Sequence, residues 1–136
     1  MGQLIDTSVL ITWERSGQPI ATLAAAINAE EHLALASITV SELFVGAHRA
    51  DTIARRLRRE AVIEAILVTI PVLPFDLMVA RVHARVWADL MRTGRPIGNH
   101  DLLIAATALA HGHSVLTENP RDFQRVPDLI VRQPTG

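Results

Sequence analysis

The chain has 136 residues, 49% of them hydrophobic, with a formal net charge of −1. That is enough for one domain around one core, residues 1–136, and too nearly neutral to hold nucleic acid by bulk charge. It contains no Cys, which excludes disulfides and thiolate metal sites, and all 13 of its basic residues are Arg.

Gln3-Leu4-Ile5 reads as a short strand ending at Asp6-Thr7-Ser8, a cluster of cap-forming residues, and Val9 to Trp13 reads as a short helix. Pro19 suits the first turn of a helix running to about Glu31. His32 to Ala36 forms a second apolar strand. Thr39-Val40-Ser41-Glu42 has the form of a capping box, opening a helix that continues to about His48. From Asp51 to about Leu67 the pattern predicts another helix, with Arg55, Arg58 and Arg59 on one side and Ile53, Leu57, Ala61 and Ala65 at four-residue spacing on another. Val68 to Leu73 is strand-like, with Pro71 and Pro74 marking a strand end or sheet edge.

Asp76 to Met91 is helical. Pro96 and Gly98 then break the chain, Asn99 suits the cap of the next helix, and Gly112 ends that helix. This helix is apolar on nearly every side, and Asp101 is its only acid. Ser114 to Thr117 is a fourth strand, Pro120 to Phe123 a turn or short helix, and Leu129 to Val131 a last strand. Short apolar strands alternating with helices predict an α/β sandwich around a mostly parallel sheet of four to five strands.

Taken singly, Asp6 reads as a helix cap, Glu42 as half of the capping box, Asp101 as a helix-start acid and Asp122 as a surface turn residue. Together they form a pattern. Asp6 and Asp122 follow strands, while Glu42 and Asp101 open helices, and in an open α/β sheet all these positions face the carboxyl edge. Carboxylates gathered there repel one another unless a hard cation such as Mg²⁺ or Mn²⁺ neutralises them. Thr7, Ser8, Thr117 and Asn119 are small polar groups at the same edge, suited to hydrogen-bonding the acids. The chemistry implied is phosphodiester hydrolysis, in which the ion binds phosphate and activates water.

Leu4-Ile5-Asp6-Thr7-Ser8, Thr39-Val40-Ser41-Glu42, Asp101-Leu102-Leu103-Ile104-Ala105 and Leu116-Thr117-Glu118-Asn119-Pro120-Arg121-Asp122-Phe123 resemble the four motifs of PIN-domain ribonucleases, above all VapC toxins of bacterial toxin–antitoxin pairs. The likeness spans nearly the whole chain, in order and spacing. It implies a three-layer PIN-like sandwich and Mg²⁺- or Mn²⁺-dependent endonucleolytic cleavage of RNA to 5′-phosphate and 3′-hydroxyl ends. It also implies a homodimer, inhibited by a VapB-type antitoxin whose C-terminal arm enters the acidic groove. By position Asp6, Glu42 and Asp101 are the core metal acids, with Asp122 the fourth and Glu118 its competitor. Thr7, Ser8, Thr117 and Asn119 support them.

Other features have plainer readings. Arg55, Arg56, Arg58 and Arg59 read as a solvated helix face before an RNA track, and Arg81 and Arg85 share that ambiguity. His111-Gly112-His113 reads as helix termination, and Trp13 and Trp87 as core or interface anchors. With no Tyr and 4% aromatic residues, recognition by base stacking is unsupported. The absence of Lys argues against phospho-acceptor receivers and haloacid-dehalogenase-type phosphatases, and neither a P-loop nor a dinucleotide fingerprint is present. A metal-free ribonuclease using a pair such as His48 and His100 would cut in EDTA and leave cyclic phosphates. The N-terminus carries no basic stretch ahead of its apolar run, and the apolar run from Leu102 to Thr117 is too short to span a bilayer, so the expectation is a cytoplasmic protein.

Overall fold

A computed structural model describes residues 2–19, 23 and 31–134. The described elements run β1 (Gln3–Ile5), α1 (Thr7–Ser16), β2 (Leu33–Ala36), α2 (Ser37–His48), α3 (Ile53–Thr69), β3 (Val72–Leu73), α4 (Leu77–Arg92), α5 (Asn99–His111), β4 (Ser114–Leu116), α6 (Pro120–Phe123) and β5 (Val131–Arg132). The strands form one five-stranded sheet in the order β3-β2-β1-β4-β5, and each neighbouring pair is parallel. All strand carboxyl ends therefore lie along one edge. The order reverses between β1 and β4, where an open α/β sheet leaves a crevice.

Alternation along the strands builds the layers. Leu4, Ala34, Ala36 and Val115 point to one face and pack with Val86, Leu90, Leu102, Ile104 and Phe123 from α4, α5 and α6. Ile5, Leu35 and Leu116 point to the other and pack with Val9, Leu10, Leu43, Ala47, Ile63 and Ile66 from α1, α2 and α3. With a side-chain period of two on each strand and a helix layer on each face, the result is the expected three-layer sandwich. α5 sits deepest: Leu102 and Ile104 to Ala108 are all buried. Gly112 ends it in the left-handed conformation at φ 66°, its N–H returning to Ala108 and Leu109 carbonyls, which is the termination read from the sequence.

Several boundaries differ from expectation. There is no capping box at Thr39 and Glu42: α2 begins at Ser37, capped by Ala36 with no side-chain bond. The chain enters this helix directly from β2, so Thr39 lies inside the first turn and is fully buried. Asn99 is likewise not the cap of α5; Gly98 is, and Leu102 N–H bonds its carbonyl. Val68 and Thr69 continue α3 and do not begin a strand, which is reduced to Val72–Leu73. β5 starts two residues and ends one residue later than the expected Leu129 to Val131. The helix placed at Val9 to Trp13 extends in both directions, to Thr7 and Ser16. The four-residue row Ile53, Leu57, Ala61 and Ala65 faces outward, and α3 buries Ile63 and Ile66 instead. The helix expected from Pro19 to about Glu31 lies largely outside the described residues.

Candidate active site

Asp6 directly follows β1 and Thr117 directly follows β4, so both stand at the carboxyl edge where the strand order reverses. The Asp6 N–H bonds the Leu116 carbonyl at 2.8 Å, which locks the two strand ends together. Asp6 occupies the cap position of α1 but makes no capping hydrogen bond. Its side chain turns the other way: Oδ2 accepts from Ser8 Oγ at 2.7 Å and from Thr117 Oγ1 at 2.8 Å. Both Asp6 and Thr117 are buried. Two hydroxyl donors on one carboxylate oxygen satisfy it without a cationic side chain.

The same hydroxyls organise the loop after β4. The Asn119 N–H donates to Thr117 Oγ1 at 2.9 Å, and the Glu118 N–H donates to Ser8 Oγ at 3.1 Å. Thr7, at the first position of α1, donates Oγ1 to Glu42 Oε1 at 2.9 Å. Glu42 lies in the second turn of α2, not at its start, and this bond ties its carboxylate to the first residue of α1. Its other oxygen, Oε2, is 3.4 Å from His100 Nδ1 at the start of α5. His100 was visible in the sequence only as part of a possible pair with His48; here it contacts Glu42, while His48 closes the last turn of α2.

Asp101 sits in the first turn of α5, above the apolar interior. Its pKa is raised from 3.8 to about 6, first by burial and then by the negative charges of Asp6, Asp122 and Glu42, with His100 opposing weakly. The charges of three carboxylates thus reach Asp101 through a poorly screened space. They do so without converging: among the described residues no three acid or imidazole groups are close enough to ligate one ion as they stand. Asp122, on α6, is 3.7 Å from Arg125 and shares a groove with Asp101, Glu118 and Asn119. Glu118 is exposed and contributes its backbone N–H, and its carboxylate is not among the charges that raise Asp101. Of the two candidates for fourth acid, Asp122 is the one whose charge acts on Asp101.

A family model for the PIN domain matches residues 4–129. The chain belongs to the PIN-domain family. Within that family this PIN domain is 36% identical, over 131 residues, to Ribonuclease VapC1 of Rickettsia felis, covering 96% of this chain and 95% of the relative. Its fold matches the DNA-bound VapBC of Salmonella typhimurium with a TM-score of 0.85 at 28% identity, covering 99% of each chain. It also matches VapBC-5 of Mycobacterium tuberculosis, a member of the VapBC family of toxin-antitoxin systems, with a TM-score of 0.74 at 28% identity over 99% of this chain and 98% of that one.

Two of the α3 arginines are paired along their own helix. Arg55 pairs with Asp51 and Arg56 with Glu60, each one turn away and exposed. Trp13 packs against the α1–α3 side of the core, whereas Trp87 is 51% exposed. Among the described residues no helix is long and apolar enough to cross a membrane.

Proposed function

We propose that this PIN domain is a Mg²⁺- or Mn²⁺-dependent endoribonuclease that acts in the cytoplasm as the toxin of a toxin–antitoxin pair. Asp6, Glu42, Asp101 and Asp122 would hold the cation, their carboxylates drawing together from the more open arrangement of the metal-free site. The observation that carries the reading is the placement, in a PIN domain matched over residues 4–129, of Asp6 held by Ser8 and Thr117 and Glu42 held by Thr7 beside Asp101, whose carboxyl is pushed up to about 6 by burial and by three neighbouring acids. An all-oxygen set of hard donors with excess negative charge suits a small divalent cation and little else. When bound, such a cation supplies a positive centre for the scissile phosphate and lowers the pKa of the attacking water.

The chain's own residues do the rest. Ser8 and Thr117 fix the Asp6 carboxylate and Thr7 fixes Glu42, so the two acids keep their orientation through the reaction. The buried body of α5 excludes water beneath Asp101. In the absence of a cation the acids repel the RNA backbone, so substrate binding and metal binding are coupled. The activity named for the Rickettsia relative and the toxin–antitoxin pairing named for the Mycobacterium structure support the assignment. A homodimer and a VapB-type antitoxin are its partners. Exposed Leu77, Trp87 and Met91 on α4 offer the apolar surface such contacts need.

The test is cleavage of total bacterial RNA by the purified protein with Mg²⁺, with Mn²⁺ and with EDTA, followed by end-group analysis. Cutting that requires the metal and leaves 5′-phosphates is the expected result. Cutting that persists in EDTA and leaves cyclic phosphates overturns the metal mechanism in favour of a histidine-based one.

A further inference from the structure

Beside the acid cluster, a groove opens between α1, α2 and α3. Ile11, Leu43 and Ile63 form its apolar part, and Glu14, Arg15, Glu42, Gly46 and Arg59 line the rest. Glu42 belongs both to this groove and to the candidate active site, so the two are continuous.

The two arginines here differ from their neighbours. Arg55 and Arg56 are neutralised by acids on their own helix. Arg59 instead donates Nη1 to the Gly46 carbonyl at 2.8 Å, which fixes the guanidinium at the groove wall. One bond occupies one of five N–H donors and leaves the cationic fork available. Arg15 closes the last turn of α1 and is exposed. Among the described residues neither Arg15 nor Arg59 makes an ion pair with an acid.

Gly46 keeps the groove open. It lies within α2, where Gly costs up to about 1 kcal/mol relative to Ala. Its backbone is ordinary helix, and a Cβ built on it meets no atom within 4 Å. No packing contact demands a glycine; a side chain there would protrude into the space that Arg15 and Arg59 border.

We propose that this groove seats the RNA strand next to the scissile phosphate, with Arg15 and Arg59 holding one backbone phosphate and Ile11 and Ile63 packing under the adjoining nucleoside. The inference rests on the ribonuclease reading above. An acid-lined site on a chain of net charge −1 gains substrate affinity only from local cations, and these two arginines share a cavity with Glu14 and the site acid Glu42 yet pair with neither.

The experiment measures binding of a labelled random-sequence single-stranded RNA with cleavage-resistant phosphorothioate linkages by fluorescence anisotropy with Mg²⁺ present, in the otherwise wild-type parent. Adding Arg15→Gln and Arg59→Gln together is expected to weaken binding about tenfold or more and to lower the salt slope by about one to two. Gly46→Leu is expected to weaken binding similarly while leaving the thermal midpoint unchanged or higher, which separates blockage from misfolding. Arg56→Gln is the control and is expected to bind as the parent does. RNA affinity unchanged in both groove variants overturns the proposal, even where the wild type cuts RNA normally. RNA affinity retained with loss of binding to a VapB-type C-terminal peptide also overturns it and assigns the groove to the antitoxin. No RNA binding by the parent, together with no cutting by the wild type, overturns the ribonuclease reading and the groove with it.

Discussion

Thr117 Oγ1 donates a 2.8 Å hydrogen bond to Asp6 Oδ2, joining the residue after β4 to the residue after β1. Thr117 also accepts from the Asn119 N–H, so a single hydroxyl holds both an acid and the loop that leads to Asp122. Thr117→Val keeps the shape and removes both bonds. Leaving a buried carboxylate one donor short costs about 2 kcal/mol, and urea denaturation should show a loss of that size. Cleavage should fall more than stability alone explains, because Asp6 loses its orientation. Thr117→Ser, which restores the hydroxyl, is expected to recover most of the activity.

Asp101 makes the metal-free protein sensitive to pH. Its folded pKa of about 6 lies above the ordinary value of 3.8, so between those values the folded state binds more protons than the unfolded one. Stability therefore rises as pH falls through 6 toward 4, and is lost again as pH climbs back. Asp101 is only half-buried, so solvent screening reduces the effect to about 1 kcal/mol. Denaturant midpoints in EDTA at pH 4.5 and pH 7 should differ in that direction. In Asp101→Asn the dependence should shrink, and the neutral-pH stability should exceed the wild type's.

Cation binding reverses that penalty. A ligand that binds only the folded state stabilises it by RT ln(1 + [L]/Kd), about 2.7 kcal/mol at a hundred times Kd. Millimolar Mn²⁺ should raise the thermal midpoint of the wild type by several degrees and leave Asp101→Asn and Glu42→Gln little changed. An equal rise in all three would place the ion elsewhere.

The core around α5 sets the position of Asp101, so packing changes there should reach the site. Ile104 is fully buried, and Ile104→Ala is expected to cost about 2 to 5 kcal/mol. Gly112 holds the other end of the helix at φ 66°. Gly112→Ala forces a side chain into that region and should cost about 1 kcal/mol without altering cleavage by the remaining folded protein.

The layers and the meeting of Asp6 and Thr117 at one sheet edge were legible because they depend on local rules. Alternation in Leu4-Ile5 and Val115-Leu116 assigns each residue to a face, and parallel strands send Asp6 and Thr117 to the same edge. The helix starts were less legible. Thr39 and Glu42 have the spacing of a capping box, but β2 runs straight into α2 and buries Thr39, so tertiary packing decides the boundary. The outward row of α3 misled for the same reason: apolar spacing marks a face without saying whether core, partner or solvent covers it. Neither the contact of Glu42 with Thr7 nor that with His100 can be read from sequence distance. Both depend on how α1, α2 and α5 meet at the sheet edge.

A crystal soaked in Mn²⁺ and measured for anomalous scattering tests the central claim most directly. A peak bounded by the carboxylates of Asp6, Glu42, Asp101 and Asp122, and lost in Asp101→Asn, is the predicted result. A peak at another surface, or no peak at Mn²⁺ concentrations that support RNA cleavage, would contradict it.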